Sequence, residues 1–238
     1  MKVRNLFLGF FASMFAVSAV SAAELEASGS VDAVSQYICH GIDQGMGASF
    51  QPAASLAYGG LSLSAWGSTS IANAESKEID VTLAYEFGAF SVGVTNYWWT
   101  GESAPFFGAG DHFTEVNLNY TISESFPLSL SLNTMVYGDL NAEGDEQYST
   151  WFKAAYPFTI GSVDCEAAVE VTPFEGAYSD GFGVNYVSLR FSKNIVETDS
   201  VTIPLYLDVI YSGATQPNYN GYVAKDDMFF VAGISIQM

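Results

Sequence analysis

Charged side chains recur at every second residue in several segments of this chain, with apolar side chains between them. In residues 163–172, Asp164, Glu166 and Glu170 alternate with valine, cysteine and alanine. Carboxylates on the polar face of a strand can line a water-filled path, where they attract cations and repel anions. Applied to the whole chain, the alternation predicts these charged lumen-lining residues: Asp32, His40, Asp80, Glu86, Glu115, Lys153, Asp164, Glu166, Glu170, Arg190 and Asp208.

Aromatic residues share the same polar face. We interpret them as rings that contact a passing solute, and they are Trp66, Trp151, Tyr186 and Tyr206. The alternative is a plugged lumen, in which Lys153 and Arg190 pair with carboxylates and the rings fill space. Both arrangements fit a barrel of about twelve strands.

Hydrolysis is the rival chemistry, because a serine, a histidine and a carboxylate could form a catalytic set. Only His40 and His112 are available, and no serine stands in a G-x-S-x-G element. An ordinary loop histidine explains His112 more simply. We therefore expect no catalytic residue and no cofactor.

An acidic segment, residues 139–145, resembles the start of a calcium-binding loop. An EF-hand places a glutamate at position twelve, where this chain has Thr150. We expect a solvated acidic turn and assign no metal site, although weak Ca²⁺ binding stays open.

The elements that must position these side chains are β-strands. Residues 201–211, VTIPLYLDVIY, place apolar side chains on one face and Thr202, Tyr206 and Asp208 on the other. About ten residues is the length with which a tilted strand crosses a bilayer. Pro204 counts against this strand, since it removes a ladder hydrogen bond. The pattern predicts twelve strands, at 25–39, 50–58, 61–70, 79–86, 90–98, 113–122, 128–137, 147–156, 163–172, 185–191, 201–211 and 228–238.

The predicted connections alternate between short and long, which is typical of outer-membrane barrels. The fold class expected is therefore all-β: a single antiparallel transmembrane barrel with short periplasmic turns and longer extracellular loops. A soluble β-sandwich shares the alternation, but its outer face would carry more lysine. Aromatic residues at strand ends are expected in the two interfacial girdles, namely Tyr37, Tyr58, Tyr85, Tyr120, Tyr156 and Tyr211.

Composition supports a barrel in lipid. The chain has 238 residues, of which 49% are hydrophobic and only 14% charged. A soluble domain usually carries about 25% charged residues. The apolar residues never form a second run of about 18, the length of a spanning helix. The formal net charge of −19 argues against nucleic acid as a partner.

The N-terminus has the features of a secretory signal peptide. Lys2 and Arg4 precede an apolar run, and small residues follow it. We expect a signal peptide at 1–22, cleaved after Ala22 or Ala23, and a barrel at 23–238; a membrane anchor is the alternative. Cleavage would leave 5 basic against 26 acidic residues, a net charge of −21. The alternation places Cys39 and Cys165 on lipid-facing positions, so two unpaired apolar fillers are preferred to a disulfide.

Residues 34–44, VSQYICHGIDQ, look like the opening signature of the TorF-like porins, a bacterial outer-membrane family. Shorter matches follow in the family's order, at 51–53, 65–68, 78–80 and 93–97. The resemblance covers mainly residues 31–99. His40 stands where the family usually has arginine, which removes a permanent positive charge. The resemblance implies an outer-membrane barrel and a channel, and it implies no reaction.

The sequence thus predicts an outer-membrane, porin-like channel for passive diffusion of small polar or cationic solutes. The expected partners are outer-membrane lipid and small solutes, and the sequence does not fix the oligomeric state. One alternative is a closed structural barrel whose acidic loops bind a partner or divalent ions. Another is an outer-membrane lipid hydrolase.

Overall fold

The computed structural model describes residues 24–72, 77–99, 112–141, 143–213 and 227–238. The predicted signal peptide lies outside these residues. None of the described residues belongs to a helix long and apolar enough to cross a membrane. The strands are β1 (Glu26–Val34), β2 (Ile38–Cys39), β3 (Ile42–Asp43), β4 (Ser49–Tyr58), β5 (Leu61–Ser70), β6 (Lys77–Phe87), β7 (Phe90–Trp99), β8 (His112–Thr121), β9 (Ser129–Tyr137), β10 (Thr150–Ile160), β11 (Val163–Thr172), β12 (Gly183–Glu197), β13 (Thr202–Ser212) and β14 (Asp227–Gln237).

All of these strands except β2 and β3 form one closed antiparallel barrel. Each wall strand pairs with its neighbour along the chain, with β4 following β1, and β14 returns to pair with β1. Closure satisfies the backbone groups that an open sheet would leave unpaired in lipid. The predicted fold class, a twelve-stranded antiparallel barrel, is confirmed.

The outer face of the wall is an apolar surface. Register pairs Leu56 with Leu63, Leu63 with Leu83, and Leu83 with Val94, so one row of exposed aliphatic side chains crosses four strands. Directly opposed residues on neighbouring strands project from the same face. The alternation therefore separates an apolar exterior from a polar interior, as predicted.

Short turns lie at one end of the barrel and long loops at the other; we name these the short-turn end and the long-loop end. At the short-turn end, Gly59 and Gly60 join β4 to β5 with φ of 56° and 87°. Positive φ at both residues is what a two-residue type I′ hairpin turn requires. Rings cluster at this end, where Phe90 lies 4.5 Å from Tyr120 and Phe126 lies 5.3 Å from Tyr156, measured between centroids.

The prediction of one strand over residues 25–39 is wrong. β1 ends at Val34, and the chain then turns inward through β2 and β3 before β4 begins. We name residues 35–48 the luminal hairpin. Tyr37 is fully buried, so it does not belong to an interfacial girdle. Cys39 borders the interior cavity and does not face lipid.

Two turns were predicted too long, at 157–162 and 192–200. β10 continues through Pro157 to Ile160, and β12 continues to Glu197. Pro204 lies in β13 opposite Asn194, and the register of β12 shifts between Asn194 and Val196. Proline donates no ladder hydrogen bond, so an irregularity beside it is expected.

Candidate functional site

The barrel encloses a cavity of about 430 Å³, and most of the residues that line it are polar or charged. It extends from Met238 and Thr202 at the short-turn end to Tyr37 and His40 in the luminal hairpin. Every wall strand contributes to its lining. The cavity therefore occupies much of the length of the lumen, and the hairpin borders it near the long-loop end.

The structure brings most of the sequence-predicted site residues to this cavity. Those that line it are Asp32, His40, Trp66, Asp80, Glu115, Trp151, Lys153, Glu166, Glu170, Tyr186, Arg190, Tyr206 and Asp208. Glu86 and Asp164 do not line it. They lie near the short-turn ends of β6 and β11, past the parts of these strands that line the cavity.

On the β12–β13 side, the luminal charges are paired. Arg190 stands opposite Asp208 in register, and its Nε and one terminal nitrogen donate to the two carboxylate oxygens at 2.5 Å each. The guanidinium also lies 4.3 Å from the ring centroid of Tyr206. The Tyr206 hydroxyl donates to Asp32 at 3.0 Å, and Ser235 donates to the other Asp32 oxygen. A bidentate pair of this kind fixes both side chains against the wall.

The luminal hairpin crosses the cavity and contacts opposite walls. On one side, Tyr37 lies 5.5 Å from Trp66 and 6.4 Å from Trp99, between ring centroids. On the other side, His40 Nδ1 lies 2.6 Å from a Glu170 oxygen, and its ring lies 4.5 Å from that of Trp151. The hairpin therefore spans from β5–β7 to β10–β11.

His40 sits in the turn of the hairpin, outside the wall strands. Burial alone lowers the pKa of His40, but interactions with the Cys39 side chain and the Glu170 carboxylate outweigh it. The net pKa lies well above the ordinary value of a histidine. A protonated His40 then forms an ion pair with Glu170.

The β6–β8 side differs, because most of the carboxylate oxygens of Glu78, Asp80 and Glu115 lack a hydrogen-bond partner among the described residues. Neither oxygen of Glu78 or Asp80 has a hydrogen-bond partner among the described residues, and the same is true of Glu115 Oε2. The other Glu115 oxygen accepts from Asn117. Lys153 stands opposite Glu170 in register, yet Glu170 bonds His40 and, at 2.9 Å, Asn185. Hydrogen bonds thus satisfy Asp32 and Asp208 on one side of the lumen, whereas Asp80 has no such partner among the described residues on the other.

Several lining residues were missed by the sequence analysis. Thr82 and Thr95 share a hydrogen bond of 2.9 Å, and Thr95 donates to Asn117 at 2.9 Å. Tyr97 and Glu78 also face this region. The sequence contained a signal for Glu78, which is in phase with Asp80, but the predicted strand began at Ile79, two residues after the start of β6.

The acidic loop between β9 and β10 uses its oxygens internally. Glu146 accepts from the backbone N–H groups of Gly138 and Asp139, and Asp139 accepts from that of Ser149 at 2.9 Å. Among the described residues, no group of three or more His, Cys, Asp or Glu could hold a metal ion. These contacts describe a self-capped turn.

The contacts of the two histidines and the pairing of the two cysteines bear on the rival predictions of a hydrolase and a disulfide. His112 Nδ1 lies 2.8 Å from the amide oxygen of Asn96, and His40 bonds a carboxylate. Neither of these bonds engages a serine. Cys39 and Cys165 are free thiols; Cys165 is buried on the wall between Phe158 and Phe191 in register.

Comparisons with known proteins place the fold among outer-membrane barrels. The chain superimposes on the KdgM porin with a TM-score of 0.51 and 11% sequence identity, covering 88% of this chain and 97% of that one. A COG4313 outer membrane channel from Pseudomonas putida F1 gives a TM-score of 0.44 and 12% identity, covering 89% of this chain and 94% of that one. No family model matches the sequence, and no curated protein matches it. The likeness to the KdgM porin is one of fold, a closed β-barrel.

Proposed function

We propose that this protein is an outer-membrane channel through which small polar or cationic solutes diffuse. The observation that carries the proposal is the polar cavity, which runs inside a closed barrel from the short-turn end to the luminal hairpin. A polar interior and an apolar outer surface allow a barrel to enclose water within a membrane without exposing charged groups to the hydrocarbon. The TorF-like resemblance of residues 31–99 and the predicted signal peptide support the same cellular location.

The preference for cations follows from the charges that line the cavity. The acidic ones are Asp32, Asp80, Glu115, Glu166, Glu170, Asp199 and Asp208. Against them stand Lys153, Arg190 and His40, and Arg190 is already neutralised by Asp208. A narrow path with excess carboxylate raises the local concentration of cations and repels anions.

Planar-bilayer recording of the refolded protein under a KCl gradient tests this function. We expect steady conductance with a cation-selective reversal potential. The variant Asp80→Asn should reduce the selectivity, because it removes a luminal carboxylate whose oxygens have no hydrogen-bond partner among the described residues. Glu86→Gln is the matched control, since it removes one charge from the same strand outside the cavity. An anion-selective wild type would refute the proposed selectivity.

A second candidate, a closed barrel with a structural or surface-binding role, is favoured by the luminal hairpin. Ile38, Ile42 and Met46 are buried, and Ser70 Oγ donates to the Met46 carbonyl at 2.6 Å. Such packing could keep the path shut. A protein that inserts and shows a heat-dependent shift in electrophoretic mobility, yet never conducts, would establish this second candidate.

A further inference from the structure

We propose that the recess beneath the luminal hairpin, between β5 and β8, binds an organic cation that carries an alkylammonium or guanidinium group. Asp80 and Glu115 would hold the charge, and Trp66, Tyr97 and Tyr37 would surround its apolar stem. The inference rests on the proposed function, because a solute reaches this recess through the lumen.

The strand register assembles the site. Asp80 is directly opposite Trp66 on β5 and directly opposite Tyr97 on β7. Directly opposed residues share a face, with Cβ atoms about 4.5–5.5 Å apart. Asp80, Trp66, Tyr97 and Glu115 all line the cavity, and Tyr37 descends from the hairpin onto Trp66. A carboxylate flanked by two rings on the wall and covered by a third is therefore built into the fold.

The second observation is that most oxygens of these carboxylates are buried without a hydrogen-bond partner among the described residues: both of Asp80 and Oε2 of Glu115, whose Oε1 accepts from Asn117. Asp80 is 3% exposed and Glu115 is 2% exposed, while Glu78, two residues before Asp80 on β6, is 1% exposed. Asp80 also interacts electrostatically with both glutamates. Leaving a buried polar group unsatisfied costs roughly 1–3 kcal/mol, and more when the group is charged. Asp208, in the same lumen, avoids this cost through Arg190, whereas neither Asp80 oxygen has a hydrogen-bond partner among the described residues.

The rings indicate an organic cation. Tryptophan and tyrosine faces attract ammonium and guanidinium groups, and the attraction strengthens when the pair is withdrawn from water. The same faces pack against an apolar stem. A small metal ion that keeps its hydration shell gains little from aromatic walls, whereas an alkylammonium gains from both the rings and the carboxylates.

Calorimetric titration of the refolded protein in detergent micelles with n-butylammonium chloride tests the inference. We expect saturable binding, and we expect Asp80→Asn to weaken it about tenfold or more, the effect of losing roughly 1.4 kcal/mol. Glu115→Gln should weaken it as well and serves if Asp80→Asn fails to fold. Glu86→Gln should bind like the wild type, and 1-butanol, a neutral isostere, should not bind saturably.

Three results would overturn the site. The first is no binding of n-butylammonium by the wild type. The second is binding by Asp80→Asn and by Glu115→Gln that is as tight as that of the wild type. The third is Ca²⁺ binding that depends on Asp80 and excludes n-butylammonium. Because the titration needs no current, it separates the two proposals. Conductance without n-butylammonium binding would remove this inference alone, whereas binding by a silent barrel would support the site and remove the channel.

Discussion

Two luminal aspartates, Asp80 and Asp208, differ in the residues that the neighbouring strands place opposite them. Asp208 faces Arg190 and forms two short hydrogen bonds, whereas Asp80 faces two aromatic rings. The two aspartates occupy equivalent faces of the wall, and both are buried. Register thus makes one of them a structural ion pair and leaves the other available to a ligand.

Asp208→Asn is expected to destabilise the barrel strongly. The change leaves the Arg190 guanidinium buried opposite a neutral amide, and breaking a buried pair in this way costs about 3–5 kcal/mol. Urea unfolding of the refolded protein, followed by tryptophan fluorescence, measures the free energy. Asp164→Asn, outside the cavity, should stay within about 0.5 kcal/mol of the wild type. A loss for Asp208→Asn no greater than that of Asp164→Asn would show that the pair is not structural.

His40 is expected to titrate well above pH 6.5, the ordinary value for histidine. Its pKa is raised in the folded state, so its pairing with Glu170 stabilises the hairpin fully below about pH 6.5 and is lost as pH rises through the folded pKa. Proton NMR of the refolded protein follows the imidazole signals of His40 and His112. His40→Gln identifies the His40 signal by removing it. A His40 signal that titrates below pH 6.5 would contradict the pairing.

Among the structural elements, the luminal hairpin is the one that crosses the lumen and contacts the far wall of the barrel. Its turn consists of His40 and Gly41, with φ of 50° and 78°, between the paired residues Cys39 and Ile42. This is again the geometry of a type I′ turn. A Cβ on Gly41 would overlap the Asn185 carbonyl oxygen of β12. The tip of the hairpin is therefore fitted closely to the far wall.

Gly41→Ala is expected to release the hairpin tip from the wall. Gly45→Ala is the matched control, because Gly45 also has positive φ, 68°, but nothing lies within 4 Å of its Cβ position. Both variants incur the backbone cost of a left-handed alanine, about 1–2 kcal/mol, and only Gly41→Ala adds the overlap. The rate at which a maleimide labels Cys39 measures the release, with buried Cys165 as internal reference. Equal labelling in both variants would place the strain in the backbone alone.

The wall strands could be predicted from sequence and the hairpin could not, for a physical reason. Period-two alternation reports which side chains share a face, and on the face of Val31, Tyr37 and Cys39 it continues past the end of β1 with a break only at Ser35. It does not report where the chain leaves the wall, since a hairpin inside a lumen is also built from strands. The glycines at 41, 45 and 47, all with positive φ, were the available signal. The separation of luminal carboxylates into paired and unpaired sets depends on register, which alternation alone does not fix.

For the whole molecule, the barrel and the hairpin are separable. Val34 and Ser49 are register partners, so a two-residue Asn-Gly turn can replace residues 35–48 and still join β1 to β4. We expect this variant to keep the heat-dependent mobility shift of a closed barrel and to conduct several times more current than the wild type in planar bilayers. Unchanged conductance would show that the hairpin does not obstruct the path.

The pairing of β1 with β14 also has a kinetic consequence. Val31 aligns with Ile236, so the ladder that completes the wall joins segments from opposite ends of the chain. Such a contact has the largest sequence separation that the fold contains, and ordering the intervening chain must precede any gain from it. Until that ladder forms, the assembling sheet carries two unpaired edges open to other chains. The arrival of the C-terminal strand therefore sets how long the nascent wall is exposed to aggregation.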